Sequence, residues 1–302
     1  MSFKQFSYII ALSQERHFGR AAKRCNVTQP TLSTAIKRFE EELGVPIVRR
    51  GQRFVGFTAE GQRVVEWAER ITADQDAMVQ ELSEMRDSLH GRLRIGAVPT
   101  ALPAVSRLNY SFHEVHPNVS IIARAMSSAE IQQELENFGI DVGITYLNRE
   151  LIPRLKSYLL YDEVYCLVKT KGDSVTTNTH NISWKDAAKL PLCLLSQDMQ
   201  NRRIIDSAFE SAGCNPTPRI ETNDLADLWL HVKMGKWAAI MPRHVLATLE
   251  LPVNAEALDL IGPSISHAVG LVIADREPQP PTAKAMVNIV KQFNGRDIFR
   301  SN

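Results

Sequence analysis

The stretch 17–44, HFGRAAKRCNVTQPTLSTAIKRFEEELG, decides how the N-terminal part of this chain folds. It reads as two short helices joined by a tight turn. The first is expected over 20–24, where Ala21 and Ala22 supply the small side chains that a close helix crossing needs. Cys25-Asn26 ends it, because Asn tolerates the left-handed backbone of a tight turn. Thr28 is a good N-cap for the second helix, and Pro30 falls in its first turn, where a missing N–H costs little.

The second helix carries Leu32, Ile36, Phe39 and Leu43 at steps of four, three and four, one apolar stripe facing a core. Its opposite face shows Gln29, Ser33, Thr34, Lys37 and Arg38. Amides and hydroxyls can read base edges, and Lys and Arg can hold phosphates. The stripe alone also fits an ordinary amphipathic helix with a solvated face. The turn, the alanine pair and the local charge favour a helix pushed into the DNA major groove.

That charge is concentrated. Residues 1–58 hold ten basic and four acidic side chains, a balance of +6, whereas the whole chain is +1 and the remainder therefore −5. Positive charge gathered in one small domain points to a polyanion. After the second helix, Val45-Pro46-Ile47-Val48 and Phe54-Val55-Gly56-Phe57 flank Arg49-Arg50-Gly51-Gln52-Arg53. This reads as a two-stranded wing with a basic tip, Arg50 and Arg53 being the candidate contacts to the minor groove or backbone, against the plainer reading of a solvated turn.

With its stretches FGRAAKRCNVTQPTLSTAIKRFEEELGVPIVRR and FTAEGQRV, the chain resembles the LysR-type transcriptional regulators. The resemblance is specific over residues 1–65 and covers the whole chain in organisation. It implies an all-α winged helix-turn-helix N-terminal domain, a long linker helix that dimerises, and an α/β effector domain like a periplasmic binding protein. It implies Gln29, Pro30, Ser33, Thr34, Lys37 and Arg38 facing double-stranded DNA, with Arg50, Arg53 and Thr58 near the backbone. It further implies a homodimer assembled into a homotetramer, with RNA polymerase a candidate partner. His17 departs from the family pattern, which has a small capping residue there, so a weakened helix start is expected. Thr34 replaces a frequent Arg.

At 302 residues with 44% hydrophobic content, the chain can bury a sizeable core and make two or three domains. No apolar run is long enough to span a membrane, and the start MSFKQF reads as an amphipathic helix and not as a signal peptide. The expected location is the cytoplasm of a bacterium, on the nucleoid when bound to DNA. The four cysteines, Cys25, Cys166, Cys193 and Cys214, form no CxxC pair. His113 and His116 are three apart on an expected helix but no further ligand joins them, so neither a metal nor a cofactor is expected.

Residues 59–89 contain no proline and a single glycine, Gly61. Val64, Ile71, Met78 and Met85 repeat every seven residues, as do Ala68, Gln75, Leu82 and Leu89, giving an a/d seam over nearly four heptads. A seam of this length beside a DNA-reading module is best explained by pairing with a second copy, through Val64, Ile71, Met78, Leu82 and Met85. Two recognition helices then read two half-sites. The expected domains are thus 1–58 for DNA, 59–89 for dimerisation and 90–302 for the effector.

From Arg92 onward strands and helices alternate, which predicts an α/β fold with a mainly parallel sheet. The resemblance implies two subdomains, 92–162 with 266–302 and 163–265, crossed twice by the chain and able to close on a ligand. Ligands in such folds sit at the carboxyl ends of strands. That rule selects Pro99, Thr100, Ala101, Ser127, Ser128, Ser196, Gln197, Arg202 and Asn223 for a small-molecule effector. An anionic metabolite is expected, with Arg202 or Arg203 as counter-charge; several of these residues could equally be helix N-caps. Pro99-Thr100 also resembles the peroxide-sensing members, but the loop after the Leu194-Leu195 strand reads SQDMQNRR and lacks their cysteine. No GxSxG, P-loop or GxGxxG is present, which argues against an enzyme. A small-molecule binding protein with no DNA partner is disfavoured by the basic helix face.

Overall fold

The computed structural model describes residues 2–49, 54–86, 88–147, 155–171, 180–251, 253–293 and 298–299. The chain divides into two compact units, one centred on Met1–Gly91 and the other on Arg92–Leu135, Ile140–Pro278 and Thr282–Asn302.

The N-terminal unit is built from α1 (Phe3–Glu15), α2 (Phe18–Arg24), α3 (Gln29–Leu43) and α4 (Ala59–Arg86). Leu32, Ile36 and Phe39 of α3 are buried with Phe6, Ile9 and Leu12 of α1 and with Ala21 and Ala22 of α2. The rings of Phe6 and Phe39 meet edge to face at 5.5 Å. Between α2 and α3 the chain turns at Asn26, φ +55°, as the tight turn requires. His17 corrects the expectation of a weak helix start. Its Nδ1 accepts from the backbone N–H of Gly19 (3.1 Å) and Arg20 (3.3 Å), so α2 is capped and begins two residues earlier than the sequence suggested. Beyond α3, a Val48–Phe57 bridge and an Arg49 N–H to Gly56 carbonyl bond of 2.9 Å form the base of the wing. The Glu40 carboxylate fastens it by accepting from the N–H groups of Ile47 (2.7 Å) and Val48 (2.9 Å). The expected tip, with Arg50 and Arg53, lies outside the described residues.

The C-terminal unit opens with β1 (Gly91–Ala97), a single 3-10 turn (Pro99–Ala101) and α5 (Leu102–Val115). There follow β2 (Val119–Ala125), α6 (Ser128–Glu136), β3 (Val142–Tyr146) and β4 (Leu155–Thr170). Next come β5 (Asn181–Ser183), α7 (Trp184–Ala187), β6 (Leu192–Leu195), α8 (Gln200–Ser211), β7 (Ile220–Thr222) and α9 (Leu225–Lys233). The unit closes with β8 (Ala238–Pro242), α10 (Arg243–Leu249), β9 (Ala255–Ile261), β10 (Ser266–Ala274) and α11 (Pro281–Phe293).

The strands run in the order β2-β1-β3-β10-β4-β8-β6-β7, with β9 paired to β4 and β5. β1 with β3, β5 with β9, and β6 with β7 and β8 are parallel. β10 with β3 and β4, and β4 with β8 and β9, are antiparallel. The mainly parallel sheet expected from the alternation is therefore a mixed one. The cause is β4, a 16-residue strand of which the sequence showed only the part at 164–168. It pairs with β10 up to Val164 and with β8 from Tyr165 onward, so it crosses from one half of the unit to the other in a single run.

Candidate functional site: a DNA-reading helix and a buried acidic centre

Thr28 caps α3, its hydroxyl accepting from the Thr31 N–H at 3.4 Å, and Pro30 sits in the first turn as expected. Gln29, Pro30, Ser33, Thr34, Lys37 and Arg38 are all exposed, on the face opposite the buried stripe. Steps of four place Gln29, Ser33 and Lys37 in one row and Pro30, Thr34 and Arg38 in the next. An open groove of about 780 Å³ runs beside this face, lined by Pro30, Thr31, Thr34 and Arg38 together with Lys4 and Tyr8 of α1. Arg38 carries an ion pair to Glu42 at 3.2 Å, so part of its charge is already compensated. Lys37 has no acidic partner among the described residues. Thr58 is placed as a helix cap: its hydroxyl bonds the Pro46 carbonyl at 2.6 Å and accepts from the Gly61 N–H at 2.8 Å. With its proton engaged there, Thr58 is not poised to donate to a phosphate.

On α4 the exposed apolar residues are Trp67, Met78, Val79, Leu82 and Met85, whereas Val65, Ala68, Ala73 and Ala77 are buried. Val64 and Ile71 are half-buried. Three of the five expected seam residues, Met78, Leu82 and Met85, thus stand on an apolar face open to solvent, along a helix about 42 Å long.

In the C-terminal unit Thr100 and Ser128 are buried beside β3: Thr100 Oγ1 is 3.2 Å from Tyr146 Oη, and Thr145 Oγ1 donates to Ser128 Oγ at 2.9 Å. Pro99 and Ala101 are buried in the 3-10 turn. Ser127 is an N-cap, its Oγ accepting from the Glu130 N–H while the Glu130 carboxylate accepts from the Ser127 N–H. Ser196 Oγ is buried with no hydrogen-bond partner among the described residues, and Gln197 and Asn223 are exposed. Asp224, not Asn223, caps α9 by accepting from the Ala226 and Asp227 N–H groups. Arg202 is buried but fully engaged. It donates to the Leu195 carbonyl at 2.9 Å and pairs with Asp206 at 2.8 Å and Glu221 at 3.3 Å. Arg203 bonds the Asp198 carbonyl. The Arg202 charge is therefore compensated within the fold, whereas Arg203 is exposed and bonds a carbonyl.

The structure brings together a set of residues the sequence did not single out. Glu163 lies on β4 at the point where that strand changes partners, and it is completely buried. Its Oε1 accepts from Tyr146 Oη at 2.5 Å and Tyr165 Oη at 2.7 Å; its Oε2 has no partner among the described residues. Asn201 of α8 donates to Tyr146 Oη at 3.5 Å. His244 of α10 bonds the Thr100 carbonyl through Nε2 at 2.9 Å and stacks on Phe299 at 4.4 Å, with Tyr161 against both rings. His267 is the cross-strand neighbour of Glu163. Burial pushes the Glu163 carboxyl above the usual carboxylate range, against the opposing pull of hydrogen bonding with Tyr146, Tyr165, Thr100 and Asn201. Burial also raises Tyr146 and lowers His267. The only hint in the sequence was the alternation Tyr161, Glu163, Tyr165 on one strand face, which a missed strand concealed.

Cys193 is buried, and burial followed by the Asp227 charge pushes its thiol up to about 11. Cys166 is likewise pushed up to about 11 by burial. Both remain protonated at neutral pH and are poor nucleophiles.

Residues 86–294 match the LysR substrate binding domain, and residues 3–62 match the bacterial regulatory helix-turn-helix protein of the lysR family. The chain belongs to the LysR family of transcriptional regulators. Among its relatives, the regulator EstR of Acinetobacter baylyi is 31% identical over 294 residues, covering 97% of each chain. The dual regulator OxyR of Escherichia coli K12 is 26% identical over 280 residues, covering 92% of this chain and 91% of that one. A full-length OxyR variant from Pseudomonas aeruginosa shares the fold with a TM-score of 0.74 at 23% identity, over 96% of this chain and 95% of the other. CbnR in complex with its target DNA does so with a TM-score of 0.69 at 21% identity, over 97% and 99%. This regulator is accordingly a DNA-binding transcription factor with an effector-binding domain, not an enzyme. No helix among the described residues is long and apolar enough to cross a membrane.

Proposed function

We propose that this regulator reads its operator with the outer face of α3, pairs with a second copy through α4, and answers to a small effector held between the two halves of its C-terminal unit. Gln29, Ser33 and Thr34 read base edges, and Lys37 and Arg38 hold phosphates. Arg50 and Arg53 lie near the backbone; Thr58 supports the wing base as a cap. Met78, Leu82 and Met85, flanked by Val64 and Ile71, form the seam, and two such dimers make the tetramer. The two exposed rows opposite a buried stripe, five polar side chains and Pro30, carry the DNA-reading part. CbnR, which shares the fold, has been crystallised with its target DNA.

The effector site is centred on Thr100, Ser128, Tyr146, Glu163, Tyr165 and Asn201. The single observation that carries it is the hydrogen-bond cluster at the junction within β4. Thr100 and Tyr146 come from one half, Asn201 and His244 from the other. A ligand that rearranges this cluster changes the hinge, and with it the population of states competent for the operator. The test is operator footprinting of wild type and Tyr146→Phe over a panel of small metabolites. The expected result is a ligand that shifts the wild-type footprint and acts more weakly on Tyr146→Phe. A ligand that acts equally on both proteins would place its site elsewhere.

A further inference from the structure

A buried carboxylate normally sits beside a cation, because the uncompensated charge costs several kcal/mol. Glu163 does not: among the described residues no Lys, Arg or His forms an ion pair with it. The cations nearest to it in sequence on β4 are committed elsewhere, Lys169 to Glu256 at 2.9 Å and Lys156 to Asp275 at 2.8 Å. Both protein hydrogen bonds converge on Oε1, and Oε2 is enclosed with no partner among the described residues. The residue is not a core apolar substitute either, since two phenols from different strands are oriented to hold it. Tyr146 and Tyr165 direct their hydroxyls to it, Tyr165 packs beside His267, and Tyr161 packs on His244 and Phe299. Arg202, a residue that would favour an anion, already has its charge compensated by Asp206 and Glu221.

We propose that the effector of this regulator carries a positively charged nitrogen, an alkylammonium group, which pairs with Oε2 of Glu163 beside Tyr146 and Tyr165. The proposal rests on the reading that the junction within β4 holds the effector, and it replaces the anionic metabolite that the sequence suggested. Burial favours the protonated carboxyl, and a bound cation supplies the partner that stabilises the ionised form, the carboxyl proton leaving to solvent as the cation binds. The Tyr146 and Tyr165 bonds hold the cluster closed, and opening of the two halves admits the ligand.

The experiment uses the full chain, with thermal melting and operator footprinting in the presence of choline, ethanolamine and putrescine. The controls are acetate, benzoate and the neutral carbon isostere of choline at matched ionic strength. At least one ammonium probe is expected to raise the melting temperature and shift the footprint, and the neutral isostere is not. Glu163→Gln is expected to weaken that probe by about tenfold or more, the loss that follows removal of a charge-assisted contact. The isostere comparison is read on the wild type and stands even if Glu163→Gln does not fold. A carboxylate that shifts the footprint while all three cations are inert would overturn the assigned charge and leave effector control at the junction intact. Equal binding of choline and its isostere would overturn it as well. A footprint that answers to a cation equally in wild type, Glu163→Gln and Tyr146→Phe would overturn both the charge and the site.

Discussion

Replacing Gly61 with Ala sets two effects of opposite sign against each other. Gly61 lies in the first turn of α4, where helix propensity alone favours Ala by about 1 kcal/mol. The added Cβ, however, falls well inside contact distance of the Ile47 carbonyl oxygen, 2.8 Å from its carbon and 3.0 Å from its Cα. Backbone atoms must move, not the end of a pliable side chain. Ile47 is held on every side. Its side chain is fully buried, its N–H donates to Glu40 at 2.7 Å, and its carbonyl accepts from the Thr58 N–H at 3.0 Å. Overpacking costs about 1–3 kcal/mol, and displacing either hydrogen bond adds about 1–3 kcal/mol. After subtracting the propensity gain, the N-terminal unit should lose about 1–5 kcal/mol. Urea unfolding of the full chain, followed by far-ultraviolet circular dichroism together with Trp67 fluorescence of a variant lacking the other tryptophans, would read the change. Operator affinity should fall in parallel, because Ile47 anchors the base of the wing. A Gly61→Ala protein as stable as wild type, or more so, would show that propensity wins and that the close approach of α4 to Ile47 is misjudged.

Other outcomes follow from the same geometry. Burial raises the Glu163 carboxyl, so the folded state holds its proton more tightly than the unfolded chain. The resulting stability is present below the ordinary carboxylate value, about pH 4.3, and is lost as pH rises through the raised one. Glu163→Gln removes this dependence, and its melting temperature should gain on wild type as pH rises above about 4.3; parallel curves would contradict the assignment. Tyr146, Tyr161, Tyr165, His244 and His267 are retained in both proteins. Lys37→Ala should weaken all DNA sequences alike and lower the slope of log affinity against log salt by about 1, which mobility shifts at several salt concentrations would measure. Leu82→Glu places a charge on the exposed apolar face of α4 and should halve the mass of the assembly in light scattering, with the apparent operator affinity falling too; an unchanged mass would move the interface elsewhere.

What could be read in advance follows the period of the pattern. The helix-turn-helix was legible because caps, a turn residue and an apolar stripe all report the same local structure. Thr28, Asn26 and the row Leu32-Ile36-Phe39 need no knowledge of the rest of the chain. The capping role of His17 escaped because imidazole is an uncommon cap, and only the coordinates show Nδ1 aimed at two free N–H groups. The α4 seam was legible in part. Ala73 and Ala77, which carry no strong hydrophobic signal, turn out buried, while Trp67 and Val79 are exposed.

The buried cluster around Glu163 was read least well, for a physical reason. Strand-end rules find residues near helix N-termini, and Ser127 and Asp224 are N-caps. Thr100 and Ser128 belong to the buried cluster. Glu163, Tyr146 and Tyr165 escaped because their grouping depends on long-range register: β4 switches partners from β10 to β8 beside Glu163. In sequence the charged pair Asp162-Glu163 separates the run Tyr158–Tyr161 from Val164–Val168 and hides the continuity of the strand.

The most direct test of the account is selection of genomic fragments by the purified full chain, followed by footprinting on the recovered DNA with wild type and Gln29→Ala side by side. The account predicts a protected, near-palindromic site for the wild type, with altered base preference at positions symmetric about its centre for Gln29→Ala. Recovery of only random, salt-labile DNA, or identical preference for the two proteins, would contradict the claim that the α3 face reads bases.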